Sequence, residues 1–365
     1  LKAGTVWINC TNVFDAASGF GGYRESGFGR EGGREGLREY VVRTQGRRGA
    51  GAQGAKSRAP AKWVDPATKA RATAKRGGAP SSPPGIDRTA KLVIGGKQAR
   101  PDSGYSTPVH APDGTLVGEV GTGNRKDIRN AVEAAAKAAG WGRATAHLRA
   151  QVLYYLGENL SARADEFAAR IARLTGATRR AAAAEVEAGI RRLWTYAAWA
   201  DKWDGAVHHT PFRNVTLAMP EPLGVLGIAC PREAPLLGFV SLVAPALALG
   251  NTVVVVPSER APLVATDLYQ VLETSDVPPG VVNIVTGPRD ELAQVLAAHD
   301  GVDGMWYFGS ATGSTLVERG SAGNLKRTWV SYGEGRDWMD VRAGEGREFL
   351  DEATQVKNIW VPYGE

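Results

Sequence analysis

The sequence predicts an α/β protein: a doubly wound, Rossmann-like parallel sheet, preceded by a helical part and followed by a terminal β-flap strand. Three observations carry this reading. Residues 224–230, 252–256, 281–286 and 304–308 are apolar or β-branched runs without polar alternation, the mark of strands buried on both faces. Helical stretches at 235–249, 261–273 and 290–298 fall between them, so strand and helix alternate as in parallel α/β domains. Before residue 224 the apolar residues recur at helical spacing instead.

In chain order, residues 1–45 form a short Gly-rich piece with strand-like ends at 5–9 and 39–44. Residues 46–88 lack a periodic apolar face and are rich in Gly, Ala, Pro and Ser. Such a segment buries too little surface to offset its chain entropy and is expected to be a disordered linker. The folded body, 89–365, divides into a Rossmann-like part (89–338) and a terminal flap or oligomerisation segment (339–365). It opens with a strand and turn at Leu92-Val93-Ile94-Gly95-Gly96. Asn124 then reads as an N-cap with Asp127 in the capping-box position, followed by Ile128, Val132, Ala135 and Ala139 at helical spacing. Leu148, Val152, Tyr155, Leu156 and Leu160 mark a second helix, and 177–200 a third. After the alternating region, 347–350 reads as a turn and 356–361 as a long strand. Gly33-Arg34-Glu35-Gly36-Leu37-Arg38-Glu39-Tyr40 is echoed by Gly346-Arg347-Glu348-Phe349-Leu350-Asp351-Glu352, which suggests two related units in tandem.

With 43% hydrophobic residues in 365, the chain can build real cores. Its net charge of +6 is local: eleven lysines and arginines between residues 46 and 91 face only Asp65 and Asp87. That segment reads as a solvated tether, with contact to an acidic partner as the sharper alternative. Nucleic acid is not expected as a partner, since no nucleic-acid-binding motif accompanies the charge. No run approaches the roughly 20 apolar residues of a membrane span. Cys10 and Cys230, the two cysteines, are too few for a disulfide framework, so a reducing, cytoplasmic setting is expected. His208-His209 lacks metal-ligand spacing. Leu1 stands where an initiator Met would, which suggests a piece of a longer chain.

Ligands of doubly wound sheets bind at the strands' carboxyl ends, here 230–232, 257–259, Gly287 and Gly309-Ser310. Gly309-Ser310 opens a helix, whose free N–H groups and dipole favour phosphate. The competing reading is that Gly-Ser turns and polar strand ends belong to any such sheet.

The sequence resembles the aldehyde dehydrogenase superfamily. Trp7-Ile8-Asn9-Cys10, followed by Phe20-Gly21-Gly22-Tyr23-Arg24-Glu25-Ser26-Gly27, is similar to the motif that closes the family's catalytic domain. Residues 39–44 would then begin an oligomerisation strand. Pro222-Leu223-Gly224-Val225, Ala244-Pro245-Ala246-Leu247-Ala248-Leu249-Gly250-Asn251-Thr252, Pro257-Ser258-Glu259, Pro278-Pro279-Gly280-Val281-Val282-Asn283 and Phe308-Gly309-Ser310 follow the cofactor-binding region in order and spacing. The last thirty residues resemble the terminal strand.

The departures are as informative. Only residues 336–354 separate Gly335 from Gln355, so the thiol-bearing domain that the family places there is absent, and no cysteine follows Cys230. The family's general-base Glu aligns with Ser331, with Glu334 displaced by three residues. Its oxyanion-hole Asn aligns with Glu233, whose carboxylate would repel a developing oxyanion. Its ribose-binding Lys aligns with Val256. What the resemblance retains is a partial NAD site of Glu259, Gly309 and Ser310, with Glu259 matching the acceptor of ribose hydroxyls.

The two-unit layout resembles the family-16 type of aldehyde dehydrogenases, in which a full catalytic unit precedes a degenerate one. The resemblance implies a C-terminal, non-catalytic (pseudo-enzyme) portion of an NAD-dependent enzyme that oxidises aldehydes to carboxylic acids. Its partners would be the upstream catalytic unit and a second copy in a homo-oligomer, most simply a dimer. Asn9, Phe14 and Phe20 would lie near the upstream unit's substrate mouth. A nucleotide-binding regulatory domain is the alternative.

Overall fold

The computed structural model describes residues 1–41 and 88–363. The described residues other than Arg88 fall in the larger of two units, 1–42 with 89–365. The expected linker, 46–88, lies outside the described residues except for Arg88. Every helix and strand of the described residues belongs to the larger unit.

Its N-terminal segment carries β1 (Thr5–Trp7) and α1 (Gly33–Arg38). The body begins with β2 (Leu92–Ile94), β3 (Lys97–Ala99), β4 (Ser106–His110) and β5 (Leu116–Gly121). Four helices follow: α2 (Arg125–Lys137), α3 (Ala146–Ala162), α4 (Ala164–Thr175) and α5 (Arg179–Trp199). A hairpin, β6 (Ala206–His208) and β7 (Asn214–Pro222), leads to the alternating region. There β8 (Val225–Ala229), α6 (Leu237–Ala248), β9 (Thr252–Val256), α7 (Pro262–Thr274), β10 (Val282–Ile284), α8 (Arg289–Ala297), β11 (Gly304–Tyr307), α9 (Ala311–Ser321) and β12 (Arg327–Val330) succeed one another. The chain closes through α10 (Val341–Gly344), α11 (Glu348–Glu352) and β13 (Thr354–Pro362).

Seven strands form one sheet in the order β12-β11-β8-β9-β10-β2-β3. The five strands β12, β11, β8, β9 and β10 are parallel, and β2 and β3 add antiparallel at one edge. The chain therefore winds outward from β8 to one side through β9 and β10, then returns to the other side through β11 and β12. This is the expected doubly wound sheet, with its switch point between β8 and β11. In β9 the alternation is explicit: Val253 and Val255 enter one hydrophobic cluster, Val254 and Val256 the other. All four are fully buried, and each such side chain contributes roughly 1.5–3 kcal/mol over an exposed one. α6 is buried at every position, as expected of a helix apolar all round.

A second sheet has the order β1-β13-β7-β6. β13 pairs antiparallel with β7 along its whole length, from Thr354↔Pro222 to Pro362↔Asn214. On its other side Thr5, Val6 and Trp7 pair parallel with Asn358, Ile359 and Trp360. The terminal strand thus completes a sheet with a strand from the far N-terminal segment.

The Asn124–Asp127 capping box forms as expected. Some local expectations differ. Residues 39–41 are not strand: Glu39 and Tyr40 form the turn that ends α1, and 42–44 lie outside the described residues. Ala139 lies beyond α2 in a 3-10 turn. Residues 347–350 enter a full short helix, α11. α4 and β12 go beyond the elements expected from the sequence.

Candidate functional site

The carboxyl ends of β8 and β11 flank the switch point, where an open α/β sheet receives ligands. A cleft of about 380 Å3 lies there, lined by residues that follow β8, β11 and β12, including Arg232, Glu233, Gly309, Ser310, Ser331 and Glu334, with Arg289 at its floor.

Arg289 is the first residue of α8 and is 2% exposed. Its Nη1 donates to the Cys230 carbonyl and the Phe308 carbonyl, both at 3.3 Å. One guanidinium therefore bridges the ends of the two strands that flank the switch point. Nε donates to Asp290 Oδ1 at 3.1 Å, and Nη2 lies 3.1 Å from the same oxygen and 3.5 Å from Tyr307 Oη. The guanidinium also lies over the Tyr307 ring, 5.3 Å from its centre. Tyr307 Oη donates to Asp290 Oδ1 at 2.7 Å, and burial, then that carboxylate, push its phenol upward in pKa.

Glu259, expected to accept ribose hydroxyls, has both oxygens engaged. Oε1 accepts the Arg289 backbone N–H at 2.6 Å, and Oε2 faces Arg232 Nη2 at 3.1 Å. It acts here as the cap of α8, where a carboxylate is favoured by the free N–H groups and the dipole. Ser310 is the N-cap of α9, its hydroxyl accepting from Gly313 N–H at 3.0 Å. At Gly309 a Cβ would stand 2.5 Å from Tyr307 Oη and 2.6 Å from Arg289 Nη2. At Gly313 it would meet the same phenol oxygen more closely still. The glycines at this turn accommodate Tyr307.

The structure brings Glu259 and the Gly309-Ser310 turn to the same end of the sheet, linked through Arg289, which sequence reasoning missed. A signal for it existed: a long cation directly after Gly287-Pro288, at the start of a helix facing the switch point. Ser331, aligned with the family's base, exchanges two bonds with Gly309: its hydroxyl accepts from the amide at 3.1 Å and donates to the carbonyl at 3.2 Å. Val256 is fully buried, and Glu233 and Glu334 are exposed. Cys230 is buried, which pushes its thiol well above the ordinary range and away from the nucleophilic thiolate. Cys10 is half-buried, on the four-stranded-sheet side of the molecule.

Where a catalytic domain would intervene, residues 331–353 alone connect β12 to β13. They fold around Arg336, whose guanidinium lies 5.3–5.8 Å from the ring centres of Phe308, Trp329, Trp338 and Phe349 and pairs with Glu348 at 3.0 Å. Cation–π contacts of this kind contribute about 0.5–2 kcal/mol each.

A second cleft, of about 320 Å3, lies against the four-stranded sheet beneath α1. Of the cations that line it, Arg30, Arg38 and Arg327 are already bound to backbone carbonyls or carboxylates. Among the described residues, no group of three or more His, Cys, Asp or Glu could hold a metal, and no helix is long and apolar enough to cross a membrane.

The aldehyde dehydrogenase family model matches residues 1–45 and 90–337. Retinal dehydrogenase 2 of Homo sapiens is 33% identical over 263 residues, covering 70% of this chain and 51% of that protein. An aldehyde dehydrogenase of Agaricus bisporus is 34% identical over 230 residues, covering 62% and 46%. Among solved structures, an NAD-dependent aldehyde dehydrogenase from Sinorhizobium meliloti superposes with a TM-score of 0.64 at 28% identity, covering 67% of this chain and 50% of that one. Indole-3-acetaldehyde dehydrogenase gives 0.65 at 28%, covering 68% and 60%. The chain spans about half the length of the curated relatives it matches.

Proposed function

The chain belongs to the aldehyde dehydrogenase family, and from that premise we propose that it is the non-catalytic, scaffolding portion of an NAD-dependent aldehyde dehydrogenase. The parent enzyme would oxidise aldehydes to carboxylic acids in the cytoplasm, on a catalytic unit upstream of this portion. The reading is carried by one observation: β12 passes to β13 through residues 331–353, which pack into an aromatic cage and hold no thiol. A family member needs a thiolate to attack the aldehyde and a base to release the acid. Here the remaining cysteine of the body is buried, and Ser331, which the resemblance aligns with the base, is bonded to Gly309.

The scaffold role draws support from β13. It joins β7 on one side and β1 on the other, so it ties an N-terminal segment with catalytic-domain motifs to the degenerate body. The outer edge of β1 has no partner strand among the described residues, and strand addition there, by the upstream unit or by a second copy in a dimer, would satisfy its backbone groups.

The test is NADH formation by the purified chain with NAD and a panel of simple aldehydes. No turnover is expected. Turnover abolished by Cys230→Ala would overturn the proposal.

A further inference from the structure

The fold places a dinucleotide's pyrophosphate at the switch point, against the first turn of the following helix. We infer that in this chain Arg289 and Tyr307 are an internal plug that takes that place, so that the degenerate domain excludes NAD.

Three observations meet here. First, the Arg289 guanidinium spans from the Cys230 carbonyl to the Phe308 carbonyl, across the crevice a dinucleotide must enter. Second, its five N–H groups all face oxygen, Nη1 the two carbonyls, Nε Asp290, and Nη2 Asp290 and the Tyr307 phenol, and Asp290 neutralises its charge. It is therefore a filler held by the sheet, with no donor left over for a phosphate. Third, the groups that would grip the ligand are turned to other use. Glu259 caps α8 and pairs with Arg232, Ser310 caps α9, and the space beside Gly309 and Gly313 holds the Tyr307 phenol. A ribose would have to displace Arg232 from Glu259, and a pyrophosphate would have to expel a buried, paired guanidinium. Val256, apolar at the position that in the family binds ribose, offers no compensation. The plug does not depend on the scaffold reading: binding without turnover would overturn the plug alone.

The test is calorimetric titration of the full chain with NAD+ and separately with AMP, at millimolar ligand. Wild type should show no saturable binding. Arg289→Gly opens the crevice while leaving the backbone N–H that Glu259 accepts. It should gain affinity for NAD+ by at least roughly tenfold, a difference of about 1.4 kcal/mol. Arg289→Lys, which keeps length and charge, should stay silent. Saturable wild-type binding of NAD+ that Glu259→Gln weakens would overturn the inference, as would a folded Arg289→Gly that binds no better than wild type. If Arg289→Gly does not fold, arginine modification by phenylglyoxal, read by mass spectrometry on wild type, decides the matter. Arg232, more than half exposed, should react equally with and without NAD+, and Arg289 should not react. Protection of Arg232 by NAD+ would overturn the plug.

Discussion

β9 and β13 are both interior strands, one in each sheet, and they are held by opposite means. β9 is a run of buried valines whose neighbours, β8 and β10, are close in sequence and buried throughout, with Asn283 of β10 as the one polar side chain between them. β13 instead carries Lys357 and Asn358 into the interior. Lys357 Nζ reaches Glu221 and the Leu1 carbonyl, each at 2.6 Å. Its neighbour Val356 offers its carbonyl to Arg30, at 3.1 Å from Nε and 2.7 Å from Nη2. Arg30 is itself 6% exposed and spends Nη1 on the carbonyls of Gly22, Phe28 and Gly29. Apolar burial is non-directional and makes the seven-stranded sheet tolerant of detail. Buried polar pairing is directional and fails when one partner is lost. The four-stranded seam therefore gains its specificity from a few named side chains drawn from distant parts of the chain.

The largest effect should come from the apolar sheet. Trp306 is buried in β11 and meets Trp329 edge-on at a centre distance of 5.2 Å. Trp306→Ala should cost about 4 kcal/mol, read as a lowered urea midpoint, with both sheets losing amide protection together. Loss confined to β11 and β12 would show that the sheets are separable in this direction too.

Arg30→Ala should cost less, on the order of 3 kcal/mol, and should split the two regions. Hydrogen exchange of residues 20–31 should accelerate, while β8 and β9 keep their protection. Uniform acceleration of the whole unit would break the comparison, since the seam would then be part of the same cooperative core.

The same contrast decides what could be read from the sequence. β9 was legible residue for residue, because a strand buried on both faces leaves an unbroken β-branched run. β12 was not: Arg327-Thr328-Trp329-Val330 is an edge strand, intermediate in burial throughout, and its mixed composition carries no such run. α4 has the right apolar spacing in Phe167, Ala168, Ile171 and Leu174. Its N-cap, Arg163, is also the C-cap of α3 and makes no side-chain cap bond, so no stop and start signal separates the two helices. At the switch point Glu259, Gly309 and Ser310 were visible as positions, but their bonding was not, because it depends on Arg289, thirty residues from Glu259. The seam was the least legible, since Arg30 and Val356 are joined across 326 residues.

The smallest effect tests whether the edge of the seven-stranded sheet at β12 carries a buried charge. Lys326 precedes β12, is 4% exposed, and donates to the Ala297 carbonyl of α8 at 2.5 Å. Burial depresses its ammonium to about 8, against the opposing pull of Asp300 and Asp303. Folding thus favours the neutral amine. Between that pH and the ordinary lysine value of 10.5, the unfolded chain holds a proton that the folded chain lacks. The unfolding free energy should rise as pH rises through this window, and below it the folded state carries the full penalty. The shift corresponds to at most about 3 kcal/mol, and partial hydration of the ammonium should leave about 1–2 kcal/mol. From just below this window to its upper end, the urea midpoint of wild type should therefore rise relative to that of Lys326→Met, which removes the titration but keeps the apolar stem. Tyr23, Tyr196 and Tyr307, whose phenols are raised by burial, add an opposite trend at higher pH that cancels between the two proteins. Equal pH slopes in wild type and Lys326→Met would mean that the ammonium stays charged beneath β12, and that the seven-stranded sheet, too, is held at this corner by a buried charge.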